Sequence, residues 1–301
     1  MIFKSLLFTG ALALFNNAVA NQEVKMEELR YLASFNTKKS YCFSTVNGVP
    51  TSRNTFTSSG TISTGFNITS IIENGTNSMS VQMVALEAPD NLDLELDSSC
   101  ELLISANSKK NRYNITSVIA TADDKLQPTG RSTPEYSGNN HVGPVKEDFM
   151  HDSYLYEVQR TFEAKGIPQW KWTTATSFVD TKENVQKLKD KYLDIWLLLK
   201  NKDLDVIKHE SQISNQEMAH TEGMSPDEWW DTLSVKEMLS SDKSIIPIRW
   251  DEYELKTYNK GRLVRFEDMD GDSPLRVEYN DRIKTYNPYF SLINGKLVVT
   301  R

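Results

Sequence analysis

The sequence has few of the residues from which enzymes build reactive centres. It contains two cysteines and four histidines among 301 residues. It has no Gly-x-Ser-x-Gly, no P-loop and no Gly-x-Gly-x-x-Gly, and so lacks three common signatures of hydrolases and nucleotide-binding enzymes. A catalytic triad is a spatial arrangement, and no pattern in the chain selects one. The sequence therefore predicts no catalytic residue and no cofactor.

The few histidines do not form a metal-binding pattern. His209-Glu210 is not followed by the second histidine of His-Glu-x-x-His, and Glu217–His220 is a single Glu-x-x-His where a di-metal site uses two. Asp268–Asp272 lacks the residue order of a calcium loop, and its twelfth position is Tyr279 rather than Glu. No metal site is predicted.

Positive charge is also scarce. The formal net charge of −7 disfavours sequence-independent binding to nucleic acid and a polybasic hold on an anionic membrane. Residues 1–20 combine Lys4, an apolar run and a small-x-small end at Ala18-Val19-Ala20, which is the pattern of a signal peptide. No later run is long and apolar enough to span a membrane. We therefore expect an exported protein, periplasmic or extracellular, with no stable membrane anchor after cleavage.

The expected export bears on the interpretation of the cysteines and the sequons. In an exported chain an even pair of cysteines favours a disulfide, here between Cys42 and Cys100, with two buried thiols as the alternative. Sequons begin at Asn67, Asn74 and Asn114. Their glycosylation depends on a bacterial or eukaryotic source, which the sequence does not decide.

The N-terminal half is rich in short strands. Residues 21–122 carry alternating runs separated by Gly and Asn turns, as in residues 78–86, where Met79, Val81 and Met83 share one face. This spacing predicts an all-β domain, a sandwich or a jelly roll. Residues 123–150 hold several Pro and Gly and few large apolar residues, which indicates a linker.

Residues 151–301 predict an α+β domain with helices packed on an antiparallel meander. A helix with Asp180 or Thr181 as its N-cap is predicted from apolar residues at three- and four-residue steps. These residues are Val185, Leu188, Tyr192, Ile195, Trp196 and Leu199. Two further helix starts fit Ser-x-x-Glu, one at Ser214 and one at Ser225, where Pro226 takes the first helical position.

The last fifty residues predict hairpins with turns at Asp270-Gly271 and Asn294-Gly295. The expected cross-strand pairs are Phe266 with Leu275, Val264 with Val277, Arg265 with Arg276, Phe290 with Val299, and Leu292 with Leu297. Two arginines directly opposite one another are unfavourable unless an anion or carboxylates lie between them. Arg265 and Arg276 are therefore predicted to bind an anion or an acidic partner. The alternative is a solvated ladder in which they reach diagonally to Glu267 and Glu278.

Four tryptophans are further candidates for a binding site. Trp170 and Trp172 share one face if that segment is extended. Trp229 and Trp230 are adjacent in a predicted helix, about 100° apart, so one of them can leave the apolar stripe for a cleft or an interface. An aromatic-lined pocket is one interpretation, and ordinary core is the other.

The order of helices and then a meander in residues 155–301 resembles the nuclear transport factor two-like cone fold. Members of that fold often bind a small molecule in the mouth of the cone. The whole chain, exported and acidic, also resembles immunity-type proteins that neutralise a secreted toxin in the periplasm. These resemblances imply a non-catalytic exported binding protein, such as an immunity-type partner of a toxin.

Two alternatives stay open. One is a protein that binds a carbohydrate or another small ligand through the β domain or the aromatic pocket. The other is a hydrolase or isomerase, which requires His209 or His220 to face a pocket beside a carboxylate. The sequence does not give the oligomeric state.

Overall fold

The computed structural model describes residues 29–131, 143–239, 244–279 and 282–301. In these ranges the chain forms four antiparallel sheets and five α-helices, and the helices all lie in the C-terminal half. The fold is therefore β-rich and has two parts. The predicted signal peptide and part of the predicted linker lie outside the described residues.

Ten strands build the first part, which we call the two-sheet unit (residues 30–164). They are β1 (Arg30–Lys38), β2 (Tyr41–Val46), β3 (Val49–Arg53), β4 (Ile62–Asn67), β5 (Gly75–Val84), β6 (Ser99–Asn107), β7 (Arg112–Ala122), β8 (Pro128–Arg131), β9 (Lys146–Met150) and β10 (Leu155–Ala164). Two five-stranded sheets result, in the orders β4-β1-β6-β7-β8 and β3-β2-β5-β10-β9.

The two sheets share one buried core. The predicted alternation in β5 is confirmed, because Met79, Val81 and Met83 are each at most 1% exposed. The predicted disulfide is also confirmed. Cys42 of β2 and Cys100 of β6 are bonded with their Cα atoms 5.8 Å apart, so the bond joins one sheet to the other. Closing a loop of this length stabilises the fold by about 4 kcal/mol in the chain-entropy description.

The segment predicted as a linker contains strands. β8 and β9 are the outer strands of the two sheets, and β10, which was expected to open the second domain, pairs with β5 from Tyr156 to Ala164. β10 buries Val158 and Phe162 in the shared core. Pro and Gly are tolerated on an outer strand. A strand such as β8, which contains both, therefore has the composition that is typical of a linker.

The helices follow in the second part of the chain. They are α1 (Lys182–Asn201), α2 (Leu204–Glu210), α3 (Gln212–Glu222), α4 (Pro226–Thr232) and α5 (Val235–Met238). Thr181 is the N-cap of α1 and accepts a hydrogen bond from the Asn184 N–H. The capping box at Ser225 is complete: the Ser225 hydroxyl accepts from the Glu228 N–H, and the Glu228 carboxylate accepts from the Ser225 N–H. The predicted start at Ser214 is wrong, because α3 begins at Gln212 and Ser214 lies inside it.

Six strands complete the second part. They are β11 (Glu254–Tyr258), β12 (Leu263–Glu267), β13 (Arg276–Tyr279), β14 (Arg282–Thr285), β15 (Phe290–Ile293) and β16 (Lys296–Val299). One sheet has the order β11-β12-β15-β16, and β13 and β14 form a separate two-stranded sheet. The hairpin predicted at Asn294-Gly295 is confirmed, with Phe290 opposite Val299 and Leu292 opposite Leu297.

The hairpin predicted at Asp270-Gly271 is wrong. β12 pairs with β11 and, at Val264, with Phe290 of β15, so Arg265 does not lie opposite Arg276. Local alternation gives the face that a residue occupies but not the partner strand. The buried face of this sheet is covered by α1, whose predicted apolar stripe packs in the same core as Phe266, Phe290 and Val299.

Several polar contacts fasten the two parts together. A one-turn 3₁₀ helix at Lys171–Thr174 is preceded by Trp170 and contains Trp172. The Trp170 indole N–H donates to the Thr69 carbonyl and the Trp172 indole N–H donates to the Ser70 carbonyl, both at 2.9 Å. The Arg262 guanidinium donates to the Glu73 carboxylate at 2.9 Å. Among the described helices, none is long and apolar enough to cross a membrane.

Candidate functional site

A cleft of about 1060 Å³ lies between the two parts of the described chain. One wall is the outer face of β2, β3 and β5, and the other is the β11–β12 face that points away from the helices. The walls approach each other at their turns, where the Asn259 N–H donates to the Asn47 carbonyl at 3.2 Å. β3 and β12 both lead away from this contact, and the cleft lies between the two sheet surfaces.

Charged side chains dominate the lining. Five are basic and six are acidic, which gives this surface a net charge of −1. The basic residues are Arg53, Arg249, Lys256, Arg265 and Arg276, and the acidic residues are Asp251, Glu252, Glu254, Glu267, Asp268 and Asp270. The first wall contributes mainly uncharged side chains, including Phe43, Thr51 and Gln82. The site is therefore polar and nearly neutral, rather than an anion trap.

The β11–β12 wall places like charges side by side. Lys256 lies directly opposite Arg265, and Glu254 lies directly opposite Glu267. Such pairs are unfavourable across a sheet unless each charge has another partner. The partners lie along each strand, because Lys256 reaches Glu254 at 2.6 Å and Arg265 reaches Glu267 at 2.6 Å. The two ion pairs thus lie side by side, with both cations at one end and both carboxylates at the other, and form a quartet without net charge.

The Arg265–Glu267 pair is the buried half of this quartet. Its side chains are 6% and 7% exposed. The Tyr258 hydroxyl donates to the second oxygen of the Glu267 carboxylate, and the guanidinium carbon of Arg265 lies 4.2 Å from the centre of the Tyr289 ring. Burial and the Glu267 carboxylate raise the pKa of Tyr258, so its hydroxyl keeps the proton it donates. A paired, stacked and hydrogen-bonded guanidinium is held in one orientation.

A second ion pair supports the loop at the mouth of the cleft, residues 268–272. The Asp268 carboxylate accepts the N–H groups of Asp270 at 3.0 Å and Asp272 at 2.9 Å, and it also binds the Arg276 guanidinium. Burial opposes ionisation of Asp268, but these donors together hold its pKa below the usual value. Arg265 donates to the Gly271 carbonyl at 2.7 Å. The loop is therefore fixed from both sides.

This fixed loop presents one apolar side chain to solvent. Met269 is 97% exposed, the highest value among the large hydrophobic side chains of the described residues. Its neighbour Asp270 reaches across the cleft to Arg53 of β3 at 3.6 Å. Methionine adapts its shape to varied surfaces and is common at binding surfaces. The loop, the quartet and Arg53 together form the candidate site.

The structure places the predicted site residues in three locations. Arg265 and Arg276 both line the cleft, but each already has a carboxylate partner and both support the 268–272 loop. Trp170 and Trp172 are buried at the contact between the two parts, where Arg301 lies over both rings.

The other tryptophan pair lies elsewhere. Trp230 is buried in the core under α4, whereas Trp229 is half-buried on the same helix. The four tryptophans are not brought together in one pocket.

The histidines of the enzyme hypothesis lie on the surface. His209 and His220 are both exposed. The hydrolase or isomerase alternative required one of them to face a pocket beside a carboxylate. His209 lines a pocket of about 300 Å³ that also contains Asp205 and Asp227, so this alternative stays a hypothesis. Within the described ranges, no group of three His, Cys, Asp or Glu side chains is close enough to hold a metal ion.

Most of the lining residues were not predicted from the sequence, and Glu254, Lys256 and Asp268 are examples. The sequence analysis did not single out Glu254 or Lys256, and it considered Asp268 only as part of a possible calcium loop. Glu254 lies opposite Glu267 and Lys256 lies opposite Arg265, an arrangement that is known only once β11 is paired with β12.

Comparison with known proteins identifies no relative, since no family model, no curated protein and no solved structure matches this chain.

Proposed function

We propose that this chain is a non-catalytic exported interaction protein that binds a protein partner at the cleft between its two parts. The main supporting observation is the 268–272 loop. The buried Arg265 and the partly buried Arg276 support its backbone, and Met269 is almost completely exposed. Interface hot spots are commonly apolar or arginine side chains that are already ordered before binding, because less entropy is then lost.

The charge arrangement supports a protein partner over a simple anion. Each arginine or lysine of the lining is within 4 Å of a carboxylate, so an anionic ligand would have to compete with that carboxylate. A protein surface offers both signs of charge and can match such a mosaic. We propose, as the resemblance to immunity-type proteins implies, that the partner is a secreted toxin and that the two-sheet unit is a sandwich or jelly roll.

The test is recovery of the partner from the native host with three forms of the protein. Met269→Glu places a charge at the exposed tip, and Leu96→Glu is the matched control, because Leu96 is 74% exposed on the two-sheet unit. We expect one protein to be recovered with the wild type and with Leu96→Glu but not with Met269→Glu. Recovery of no partner under several conditions, or recovery unaffected by Met269→Glu, would contradict the proposal.

A second candidate function is binding of a glycan or another small polar ligand in the same cleft. It is favoured by the uncharged wall, where Phe43 offers an apolar face beside Thr51 and Gln82. The volume of about 1060 Å³ is at the upper end of small-ligand sites. Because Trp250 lies between the lining residues Arg249 and Asp251, tryptophan fluorescence against a panel of glycans and metabolites tests this function. No shift with any member would remove its support.

A further inference from the structure

β11 has a hydrogen-bonding register that leaves one edge open. The Asn259 N–H donates to the Asn47 carbonyl and the Asp268 N–H to the Asp272 carbonyl, so neither of these N–H groups bonds across the β11–β12 ladder. The Arg262 N–H closes the turn by donating to the Asn259 carbonyl at 3.2 Å. The bonded pairs are therefore residues 254 with 267, 256 with 265, and 258 with 263, because bonded and non-bonded pairs alternate in an antiparallel ladder.

Phe266 gives an independent check of this register. Its N–H donates to the Tyr192 hydroxyl at 3.1 Å, and its carbonyl accepts from the same hydroxyl at 3.4 Å. The backbone groups of Phe266 thus point away from β11. Leu255, which lies opposite Phe266, therefore directs its own N–H and carbonyl to the outer edge, and so does Thr257.

No other described backbone group uses this edge. β11 is the outermost strand of its sheet, and none of the backbone hydrogen bonds among the described residues involves Leu255 or Thr257 at that edge. The other outer strand on the cleft is β3, where Pro50 has no N–H to donate. Of the two strands, β11 is the one that can accept a further strand over most of its length.

The side chains of β11 define which strand fits. Its cleft face carries Glu254 and Lys256, and its other face carries the half-buried Leu255 and the exposed Thr257. A neighbouring strand is favoured when opposite charges lie across from each other and disfavoured when like charges do. The matching segment therefore carries an acidic residue opposite Lys256, a basic residue opposite Glu254, and apolar or β-branched residues between them.

We propose that the partner enters the cleft as an extended polypeptide segment of this composition, which adds to the sheet along β11. This inference rests on the proposed function, because it names how the partner of the same cleft binds. Backbone hydrogen bonds to Leu255 and Thr257 would supply the register, and the charges of Glu254 and Lys256 would supply the selectivity.

The experiment uses a phage-displayed library of short random peptides as the probe, selected on the full protein. Thr257→Pro removes the outward N–H without removing a bond of the β11–β12 ladder, and Thr257→Ala is the matched control that keeps this N–H. We expect selected peptides to bind the wild type and Thr257→Ala, and to bind Thr257→Pro at least tenfold more weakly. In the wild type, amide hydrogen exchange of Leu255 and Thr257 should slow when a selected peptide is added.

The exchange measurement does not depend on the folding of Thr257→Pro. Charge reversal gives a second readout, since Glu254→Lys combined with Lys256→Glu should weaken the same peptides. Peptides that bind Thr257→Pro as tightly as the wild type, or that leave both amides unprotected, would overturn strand addition. If no peptide is selected while recovery of the host partner still depends on Met269, strand addition fails and the proposed function stands.

Discussion

The Tyr192 hydroxyl bridges the N–H and the carbonyl of a single residue, Phe266, at 3.1 and 3.4 Å. β12 pairs with β15 only at Val264, so these backbone groups have no ladder partner where the two strands diverge. Tyr192 and Phe266 are both buried, and an unpaired backbone group there would be costly. A side chain of α1 thus completes the hydrogen bonding of the sheet that the helix covers.

Tyr192→Phe should lower the free energy of unfolding by about 1 to 3 kcal/mol, because two buried backbone groups lose their partner. Urea unfolding followed by circular dichroism would measure the change. Tyr113→Phe is the control, because the Tyr113 side chain is 42% exposed, and it should stay within about 0.5 kcal/mol of the wild type. Equal stability of the Tyr192→Phe variant and the wild type would contradict this role for the hydroxyl.

The Cys42–Cys100 bond should account for a large share of the stability of the two-sheet unit. Replacing both cysteines with alanine should reduce the free energy of unfolding by about 4 kcal/mol, since the unfolded chain is no longer constrained. Denaturant unfolding with and without a reductant measures this. The reduced wild type and the double variant should unfold at similar denaturant concentrations, and a double variant as stable as the oxidised wild type would contradict the prediction.

The Glu73–Arg262 contact should make the attachment of the two parts sensitive to acid. The hydrogen bond that the Glu73 carboxylate accepts from Arg262 holds the pKa of Glu73 below the usual 4.5, and burial only partly opposes this shift. A carboxyl whose pKa is lower in the folded state stabilises that state above its unfolded pKa and loses this contribution as the pH falls through the folded value. The loss is therefore expected below about pH 4.5, the usual value of the group.

Glu73→Gln tests this contribution, because it removes the titrating group and keeps the shape of the side chain. The stability of the variant should fall less steeply below pH 4.5 than that of the wild type. Glu183→Gln is the control, since the pKa of Glu183 is also lowered, by Lys187, but the side chain is 76% exposed. Identical acid profiles for Glu73→Gln and the wild type would refute the prediction.

Features set by neighbouring residues were predicted well from the sequence. The complete capping box at Ser225 and the turn at Asn294-Gly295 depend on a few adjacent side chains and on residues that accept positive φ. The buried stripe of α1 follows from helical periodicity. The Cys42–Cys100 bond was predictable because only two cysteines exist to pair.

Features set by distant residues were not predictable in the same way. The pairing of β10 with β5 joins residues about eighty positions apart, and alternation alone cannot name such a partner. The same limit made Arg265 and Arg276 appear to face each other. The Asp268 carboxylate instead accepts the N–H groups of Asp270 and Asp272 and binds Arg276. Both arginines were therefore correct candidates for the cleft, but their predicted geometry was wrong.

The Arg265–Glu267 pair gives the last prediction. Arg265→Met should lower the free energy of unfolding by about 3 to 5 kcal/mol, because Glu267 would remain buried without its cation. Arg265→Met combined with Glu267→Leu should be less destabilising than the single change, since no uncompensated charge is left. Lys256→Met is the control: its partner Glu254 is 77% exposed, so a change below about 1 kcal/mol is expected. If the double variant were no more stable than Arg265→Met, the buried charge of Glu267 would not be the cause.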